Sequence, residues 1–278
     1  MKFDMHCHTK EGSLDGKIMI EEYIRRLKDM GFGGMLVSDH NSYDGYREWK
    51  NSIKGKAYTD FVVLKGVEYD TLDCGHMLII MPVGMKFRIL EMRGVPIVAL
   101  INLVHHYGGI IGPAHPYGEK YLSVVTTRER KQKYSKRGNQ KLIEQFDFIE
   151  IYNACERQEI NLSAEKLALK YRCPGFGGSD AHKLECIGKG WTDLPDFIRN
   201  ENDLIAYIKE RPHICCGGSF YESTFREKLG KWNIFRVDGF FIFNKLGAAS
   251  KTRKRRKELR QIFPKYKEFQ KNSEKFYI

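Results

Sequence analysis

The stretch FDMHCHTKEGSLDG, residues 3–16, places two histidines on alternate positions near the start of the chain, with an aspartate seven residues further on. Alternate side chains of a β-strand point to the same face, so a strand over residues 3–8 would put His6 and His8 side by side. Two imidazoles on one face are half of a metal site. The rest of the sequence must be searched for the ligands that would complete it.

The composition predicts a globular chain with a substantial core. Apolar residues make up 42% of the 278 residues, a length that single α/β barrels commonly reach. The longest apolar run, near residues 76–85, is too short to span a bilayer, and the N-terminus lacks an apolar signal region. Seven scattered cysteines without a CxxC pair indicate reduced thiols. We therefore expect a soluble, cytoplasmic protein.

Two segments carry the basic character of the chain. The net charge is +12, of which residues 126–141 contribute +6 and residues 251–278 contribute +8, so the remainder is slightly acidic. Basic clusters favour polyanionic partners such as nucleic acid, although a solvated loop and a solubilising tail would look the same. We expect a catalytic domain over residues 1–247 and a basic C-terminal extension over residues 248–278.

Short apolar runs alternate with amphipathic helical patterns along the chain. The pattern predicts strands at 3–8, 34–40, 60–70, 76–83, 109–116, 146–153 and 174–182, and helices at 20–31, 95–109, 160–172 and 201–210. Alternation of this kind indicates an α/β fold with a mostly parallel sheet or barrel. Functional sites of such folds lie at the C-terminal ends of the strands.

Ionisable side chains recur where these predicted strands give way to loops. Six histidines, two aspartates and one glutamate form this set, and most of them sit where a strand gives way to a loop: His6, His8, Asp15, His40, Glu68, His76, His115, Asp180 and His182. Imidazole and carboxylate ligands without thiolates suit Zn, Mn or Fe in catalytic sites. Nine candidates exceed the needs of one tetrahedral ion, and they fit two or three ions that share a bridging carboxylate.

The blocks DMHCHTKEGSLDG, SDHNS, GVEYD, GH, AHP and GGSDAH follow the order and approximate spacing of a known family. They resemble the PHP (polymerase and histidinol phosphatase) family of metal-dependent phosphoesterases, and the resemblance covers roughly residues 1–220. It implies a distorted (β/α)7 barrel with up to three ions at its C-terminal face.

The resemblance also implies roles for individual residues. One ion would be held by His6, His8, Glu68 and Asp180, a second by Glu68, His76 and His115, and a third by Asp15, His40 and His182. Asp15 lies two residues later than in many relatives, which leaves Glu11 as an alternative. Asp39 is either an orienting carboxylate or a turn cap. Glu68 and Asp180 are the candidate catalytic residues, the first as the bridging carboxylate and the second as a proton shuttle, a role that an unassigned histidine could also fill.

The implied reaction is hydrolysis of a phosphate ester by a metal-activated hydroxide. Because the segment 126–141 follows the strand that bears His115, we expect Arg128, Arg130 and Lys131, with Lys133 and Arg137, to meet extra phosphates on a nucleotide or an oligonucleotide end. Three alternatives remain open: a small-molecule phosphatase of the histidinol-phosphate type, an amidohydrolase-type barrel that cleaves carbon–nitrogen bonds, and a nucleic-acid-binding protein without activity.

Overall fold

A computed structural model of the protein describes residues 1–53, 58–118, 123–124, 142–220, 246–247, 250, 252–254 and 257. The strands of these residues are β1 (Lys2–Cys7), β2 (Gly34–Val37), β3 (Val62–Asp70), β4 (His76–Ile80), β5 (Ile110–Pro113), β6 (Ile149–Asn153), β7 (Gly175–Gly178), β8 (Gly190–Asp193) and β9 (Cys216–Gly218). The longer helices are α1 (Ile20–Asp29), α2 (Asp44–Glu48), α3 (Ile97–His106), α4 (Gln158–Tyr171) and α5 (Glu201–Lys209).

The strands form a mixed, curled sheet. Seven of them are hydrogen-bonded in the order β5-β4-β3-β2-β1-β8-β9, and β6 and β7 form a separate parallel pair. The pair lies against the open side of β1, because the amide of Asp180 donates to the carbonyl of His6 and a parallel bridge joins Cys7 to Ala181. The sheet thereby curls into a half-barrel around the polar residues at its strand ends.

The directions of the strands differ in part from the mostly parallel sheet that the sequence predicts. The pairs β1–β2 and β2–β3 are parallel, whereas β3–β4, β4–β5, β1–β8 and β8–β9 are antiparallel. A short connection explains the first of these, since residues 71–75 are too few for the crossover that a parallel pair needs. As a result the start of β4 lies beside the end of β3.

The helices cover the outer face of the sheet. In α1, Ile20, Tyr23, Ile24 and Leu27 are buried in the positions that the 3.6-residue pattern predicts. They pack against Met35, Val37 and Val63 of the neighbouring strands, while α3 packs on Val67, Met77 and Ile79 in a second cluster. Along β3 the alternate residues Glu68 and Asp70 therefore face the inside of the curl, opposite to the face that the helices cover.

No helix among the described residues is long and apolar enough to cross a membrane. The segment 126–141 lies outside the described residues, as does most of 248–278, so the structure gives no position for the predicted basic loop.

Candidate metal centre

The carboxylate of Glu68, near the end of β3, lies at the centre of a cluster of imidazoles. Its Oε1 atom lies 2.9 Å from Nδ1 of His76 and 3.0 Å from Nε2 of His115. Its Oε2 atom lies 3.1–3.4 Å from a ring nitrogen of each of three further histidines, His40, His8 and His6. Each oxygen thus faces its own set of nitrogens, which is the arrangement of a carboxylate that bridges two cations.

His6 and His8 bring their Nε2 atoms within 3.1 Å of each other. The Oδ1 atom of Asp180, in the loop after β7, lies 3.2 Å from Nε2 of His8 and 3.6 Å from Nε2 of His6. With Glu68 these residues form the first of the three predicted ligand groups. The alternation along β1 places both imidazoles on the face that looks toward the end of β7.

The outer nitrogens of these two imidazoles carry the ring protons. Nδ1 of His6 lies 2.8 Å from Oε1 of Glu150, and a carboxylate can only accept. Nδ1 of His8 lies 3.1 Å from the hydroxyl of Ser13, whose own proton is donated to Asp39. When both rings are neutral, their Nε2 atoms therefore direct lone pairs at the same point.

Two facing lone pairs repel each other unless a cation lies between them. The Oε2 atom of Glu68 points to the same place, and although three imidazole nitrogens surround it, it has no hydrogen-bond partner among the described residues. The donor set consists of imidazole nitrogens and carboxylate oxygens, which suits Zn, Mn or Fe. These observations fit the divalent ions that the sequence implies.

Asp39 supports the imidazole of His8 through Ser13, and the same hydroxyl of Ser13 accepts from the backbone amide of His40. Its Oδ1 atom accepts from the amide of Thr9 at 2.6 Å and from Ser13 at 3.1 Å, and its Oδ2 atom accepts from the hydroxyl of Thr9 at 2.9 Å. Asp39 thus combines the two roles considered from sequence, because it fixes the loop after β1 and orients His8 through Ser13. Gly12 makes this packing possible, since an added Cβ would lie 2.0 Å from Oδ2 of Asp39.

The third predicted group is more open to solvent. The Oδ2 atom of Asp15 lies 3.7 Å from Nε2 of His40 and 3.5 Å from Nε2 of His182. Nδ1 of His182 is directed at the carbonyl of Asp180, 3.0 Å away, so its Nε2 is available to a ligand. The alternative candidate, Glu11, instead accepts from the amide of Ile20 at the start of α1. The geometry therefore favours Asp15.

The carboxylates of the centre attract positive charge. Burial opposes ionisation of Glu68, but the fields of His40, His76 and His6 outweigh it and hold the pKa of Glu68 well below its usual range. Burial likewise disfavours charge on His8, yet the carboxylates of Asp180 and Glu68, each 3.2 Å from its Nε2 atom, raise its pKa to about 10. Without an ion, His6, His8 and His76 would therefore hold protons on the atoms that are candidates for binding metal.

The same balance between burial and neighbouring charges sets the pKa of Asp180, the second catalytic candidate. The fields of His6 and His182 and a hydrogen bond from His8 overcome the effect of burial and lower the pKa of Asp180. An ionised Asp180 suits a cation ligand better than a proton donor. Its backbone adopts φ +50°, in the left-handed region that is rare for residues with a side chain, and such conformations cluster at functional sites.

Two carboxylates of the centre were not among the predicted site residues. Asp70 ends β3 with its Oδ1 atom 3.1 Å from Nε2 of His76, and Glu150 of β6 binds His6 and accepts from the amide of His115. The sequence holds a signal for each. Asp70 shares a strand face with Glu68 by alternation, and Glu150 is an acid between two isoleucines of β6.

The structure brings all nine predicted metal ligands into this one centre. The predicted substrate residues lie outside the described residues: Arg128, Arg130, Lys131, Lys133 and Arg137. The binding of metal by the nine residues stays a prediction that the geometry supports.

Comparison with known protein families gives two matches. The sequence model of the PHP domain matches residues 4–164, more than half of the chain, and the model of a PHP-associated region matches residues 158–212. The two matches together span every residue of the centre. No curated protein matches the chain.

Solved structures of similar fold are distant in sequence. A protein from Bifidobacterium adolescentis, named as a metal-dependent phosphoesterase, is 15% identical with a TM-score of 0.53, over 75% of this chain and 96% of its own. Endonuclease Q, in complex with a 27-mer duplex bearing an abasic lesion, is 14% identical with a TM-score of 0.54, over 77% of this chain and 57% of its own. An amidohydrolase from Chromobacterium violaceum is 15% identical with a TM-score of 0.51, over 77% and 97% respectively. Likeness at these identities shows the fold and does not choose among the three activities.

Proposed function

Because the chain belongs to the PHP domain family, we propose that it is a metal-dependent phosphoesterase with a centre of two or three divalent ions. The observation that carries the proposal is the position of Glu68, whose two oxygens face separate sets of imidazole nitrogens. Family membership also favours a distorted (β/α)7 barrel. The charge distribution favours a domain over residues 1–247 that is followed by a basic extension over residues 248–278.

Three groups of side chains would hold the ions. His6, His8 and Asp180 would share Glu68 with His76 and His115, and Asp15 would join His40 and His182 at the more exposed end. The ions, as Zn, Mn or Fe, would supply a hydroxide at neutral pH and neutralise the charge that develops on the phosphoryl oxygens.

The remaining residues of the centre keep this set in place. Glu150 and Ser13 hold the ring protons of His6 and His8 on their outer nitrogens, so that the inner nitrogens stay free to bind. Asn153 donates to Oδ2 of Asp180 at 3.2 Å and fixes that carboxylate with Oδ1 toward the histidines. The balanced reaction adds water across the phosphate ester and releases an alcohol and a phosphate.

We further propose that the substrate is a nucleotide or an oligonucleotide end. Support comes from the charge distribution, because two basic segments carry the whole excess of positive charge on a slightly acidic body. The segment 126–141 follows His115 in sequence, and Arg128, Arg130 and Lys131 within it would bind additional phosphates. The Endonuclease Q structure shows that a protein of this fold can hold a nucleic acid duplex.

The carbon–nitrogen hydrolase alternative is less favoured by the side chains of the centre. An amidohydrolase-type barrel usually has a lysine that bridges its ions, whereas the central residue here is Glu68. Lys65, on the same strand, directs its Nζ to the carbonyl oxygens of Pro82 and Met85. A small-molecule phosphatase differs from the favoured function only in substrate, so the experiment must include both kinds of ester.

The test is phosphate release by protein reconstituted with Zn²⁺, Mn²⁺ or Fe²⁺. The substrates are a chromogenic monoester, a chromogenic diester, histidinol phosphate, a nucleoside bisphosphate and a short 5′-phosphorylated RNA. We expect His8→Ala to lower the turnover at least 100-fold, since it removes a ligand, and the exposed His106→Ala to retain it. Turnover that survives in His8→Ala, or no turnover on any substrate by protein with bound metal, would contradict the proposal.

The substrate class needs a second variant. Replacing Arg128, Arg130, Lys131, Lys133 and Arg137 by glutamine should raise KM for the RNA and the bisphosphate several-fold and leave the chromogenic monoester unaffected. Equal losses on all substrates would exclude a phosphate-binding role for the segment, and a preference for histidinol phosphate would favour the small-molecule phosphatase.

A further inference from the structure

Asp70 and His76 form a cross-strand pair at the tip of the β3–β4 hairpin. The antiparallel register places the two residues directly opposite each other, where side chains are in contact distance. Nε2 of His76 lies 3.1 Å from Oδ1 of Asp70, and Nδ1 of the same ring lies 2.9 Å from Oε1 of Glu68. The imidazole is therefore held between two carboxylates.

Only one nitrogen of a neutral imidazole can bind an ion, because the other carries the proton. On the Nδ1 side, Oε1 of Glu68 and Nε2 of His115 lie 3.0 Å apart, so an ion there would find three ligands together. On the Nε2 side, His40 and Asp70 also lie near enough to form a group with His76. An ion can therefore bind His76 on only one of these two sides.

A neighbouring cation decides between these sides. Nε of Arg93 lies 3.6 Å from Oδ2 of Asp70, so the outer oxygen of this carboxylate already faces a positive charge. A divalent ion on Asp70 would be repelled by the guanidinium, whereas an N–H donor on Oδ1 is compatible with it. The amide of Asp70 donates to Oδ1 of Asn41 at 3.0 Å, which fixes the backbone of this residue.

We propose that Asp70 is a positioning residue that accepts the Nε2 proton of His76 and thereby directs Nδ1 at the ion shared with Glu68 and His115. The inference rests on the proposed function, because the ion is part of the proposed centre. Asp70 would act through His76 and would not bind the ion itself. Carboxylates in this position raise the basicity of the imidazole and fix its orientation.

The first measurement is the nitrogen NMR spectrum of the histidine side chains in ¹⁵N-labelled, Zn²⁺-loaded protein. We expect His76 to bind zinc through Nδ1 and to carry its proton on Nε2. Zinc on Nε2 would overturn the inference, since that atom would then belong to a site made with Asp70.

The second measurement compares the zinc affinity of three variants by competition with a chromophoric chelator. Asp70→Ala should weaken the His76 site about 10- to 100-fold, the usual effect of losing such a partner. Asp70→Asn keeps an oxygen that accepts the proton but is a poor ligand, so it should weaken the site less than about 10-fold. Asp60→Asn, at the exposed carboxylate just before β3, should have no effect.

The outcomes separate this inference from the proposed function. Equal losses in the alanine and asparagine variants would make Asp70 a ligand, and an unchanged affinity in Asp70→Ala would leave it without a role; either result overturns the inference alone. A wild-type protein that binds no zinc, manganese or iron would overturn the proposed function as well. If circular dichroism shows that Asp70→Ala does not fold, two measurements still test the inference. These are the zinc affinity of the near-isosteric Asp70→Asn variant and the nitrogen NMR spectrum of the wild-type protein.

Discussion

Three histidines of the centre are suited to bind metal because their outer nitrogens are occupied. His6 is oriented by a carboxylate, His8 by a hydroxyl and His182 by a backbone carbonyl, so three different acceptors produce the same result. In each ring the tautomer is set by the partner, and the nitrogen on the other side faces the carboxylates of the site. The loss of any one acceptor would free a ring to rotate.

The loop after β1 offers a prediction with a matched control. Asp15→Asn should weaken the most exposed of the metal sites about tenfold or more, because Oδ2 of Asp15 lies between His40 and His182. Glu11→Gln, four residues earlier, should leave every metal affinity unchanged and lower only the stability, by about 1 kcal/mol, since Glu11 binds the first amide of α1. Titration with Zn²⁺ and urea unfolding would measure both effects. The reverse pattern would make Glu11 the ligand.

The sequence identifies candidate ligands where the residue type and a strand pattern coincide. His6 and His8 were identified by their alternate positions on a predicted strand, and His115 and Asp180 were identified because a predicted strand ends beside each of them. Asp70 and Glu150 were not, because an acid inside or beside a strand reveals its role only through its partners. Both partners, His76 and His6, are remote in sequence or on another strand, and only the register brings them together.

At the scale of elements, the close approach of β7 to β1 assembles the first group of candidate ligands. Gly178 ends β7, and a Cβ added there would lie 2.5 Å from both the amide nitrogen and the Cβ of His6. The absence of a side chain lets the amide of Asp180 reach the carbonyl of His6 at 2.9 Å. A glycine at the end of this strand thus places Asp180 beside the two histidines.

Gly178→Ala should therefore both destabilise the protein and weaken its metal binding. Overpacking of this kind costs about 1–3 kcal/mol, and the forced separation of β7 from β1 would move Asp180 away from His8. Gly31→Ala provides the comparison, because its Cβ meets open space and only the positive φ of 79° opposes it, at a cost of about 1–2 kcal/mol. Urea unfolding should show losses in both variants, and only Gly178→Ala should lose zinc affinity. Full zinc affinity in Gly178→Ala would show that this approach is not needed for the site.

The four longest helices and seven of the nine described strands were predictable, whereas β8 and β9 were not. Helices α1, α3, α4 and α5 follow their apolar patterns to within a few residues of the predicted bounds. The strands β8 (GWTD) and β9 (CGG) contain neither an apolar run nor an alternating pattern, so the sequence did not predict them. Strand direction was also beyond a local pattern, because β4 reads as an apolar run in either orientation. Only the brevity of residues 71–75 points to a hairpin.

For the molecule as a whole, the centre concentrates ionisable side chains in the buried interior. Burial alone would discharge the imidazoles of His6, His8 and His76, but the buried carboxylates around them raise the pKa of each one above its usual value. Protons and metal ions then compete for the same nitrogen atoms. Stability, metal binding and pH are consequently linked in this protein.

The linkage predicts how the metal-free protein responds to pH. An imidazole whose pKa is raised on folding stabilises the folded protein fully at pH values below its unfolded pKa of about 6.5. This stabilisation is lost as the pH rises toward the folded pKa, which for His8 is about 10. The free energy of unfolding should therefore fall between pH 7 and pH 9 in the presence of a chelator, by roughly 1.4 kcal/mol per pH unit for each such imidazole.

Saturating zinc should reverse this trend, because the ions take the place of the protons and bind more tightly once the imidazoles are neutral. Ligand binding to the folded state adds about 2.7 kcal/mol at a hundredfold excess over Kd for each site. Urea unfolding at pH 7, 8 and 9, with chelator and with zinc, measures both curves. A free energy of unfolding that stays constant or rises between pH 7 and pH 9 with chelator would contradict this prediction. The carboxylates would then not hold protons on the histidines, and the centre would be assembled without the positive charge that its geometry requires.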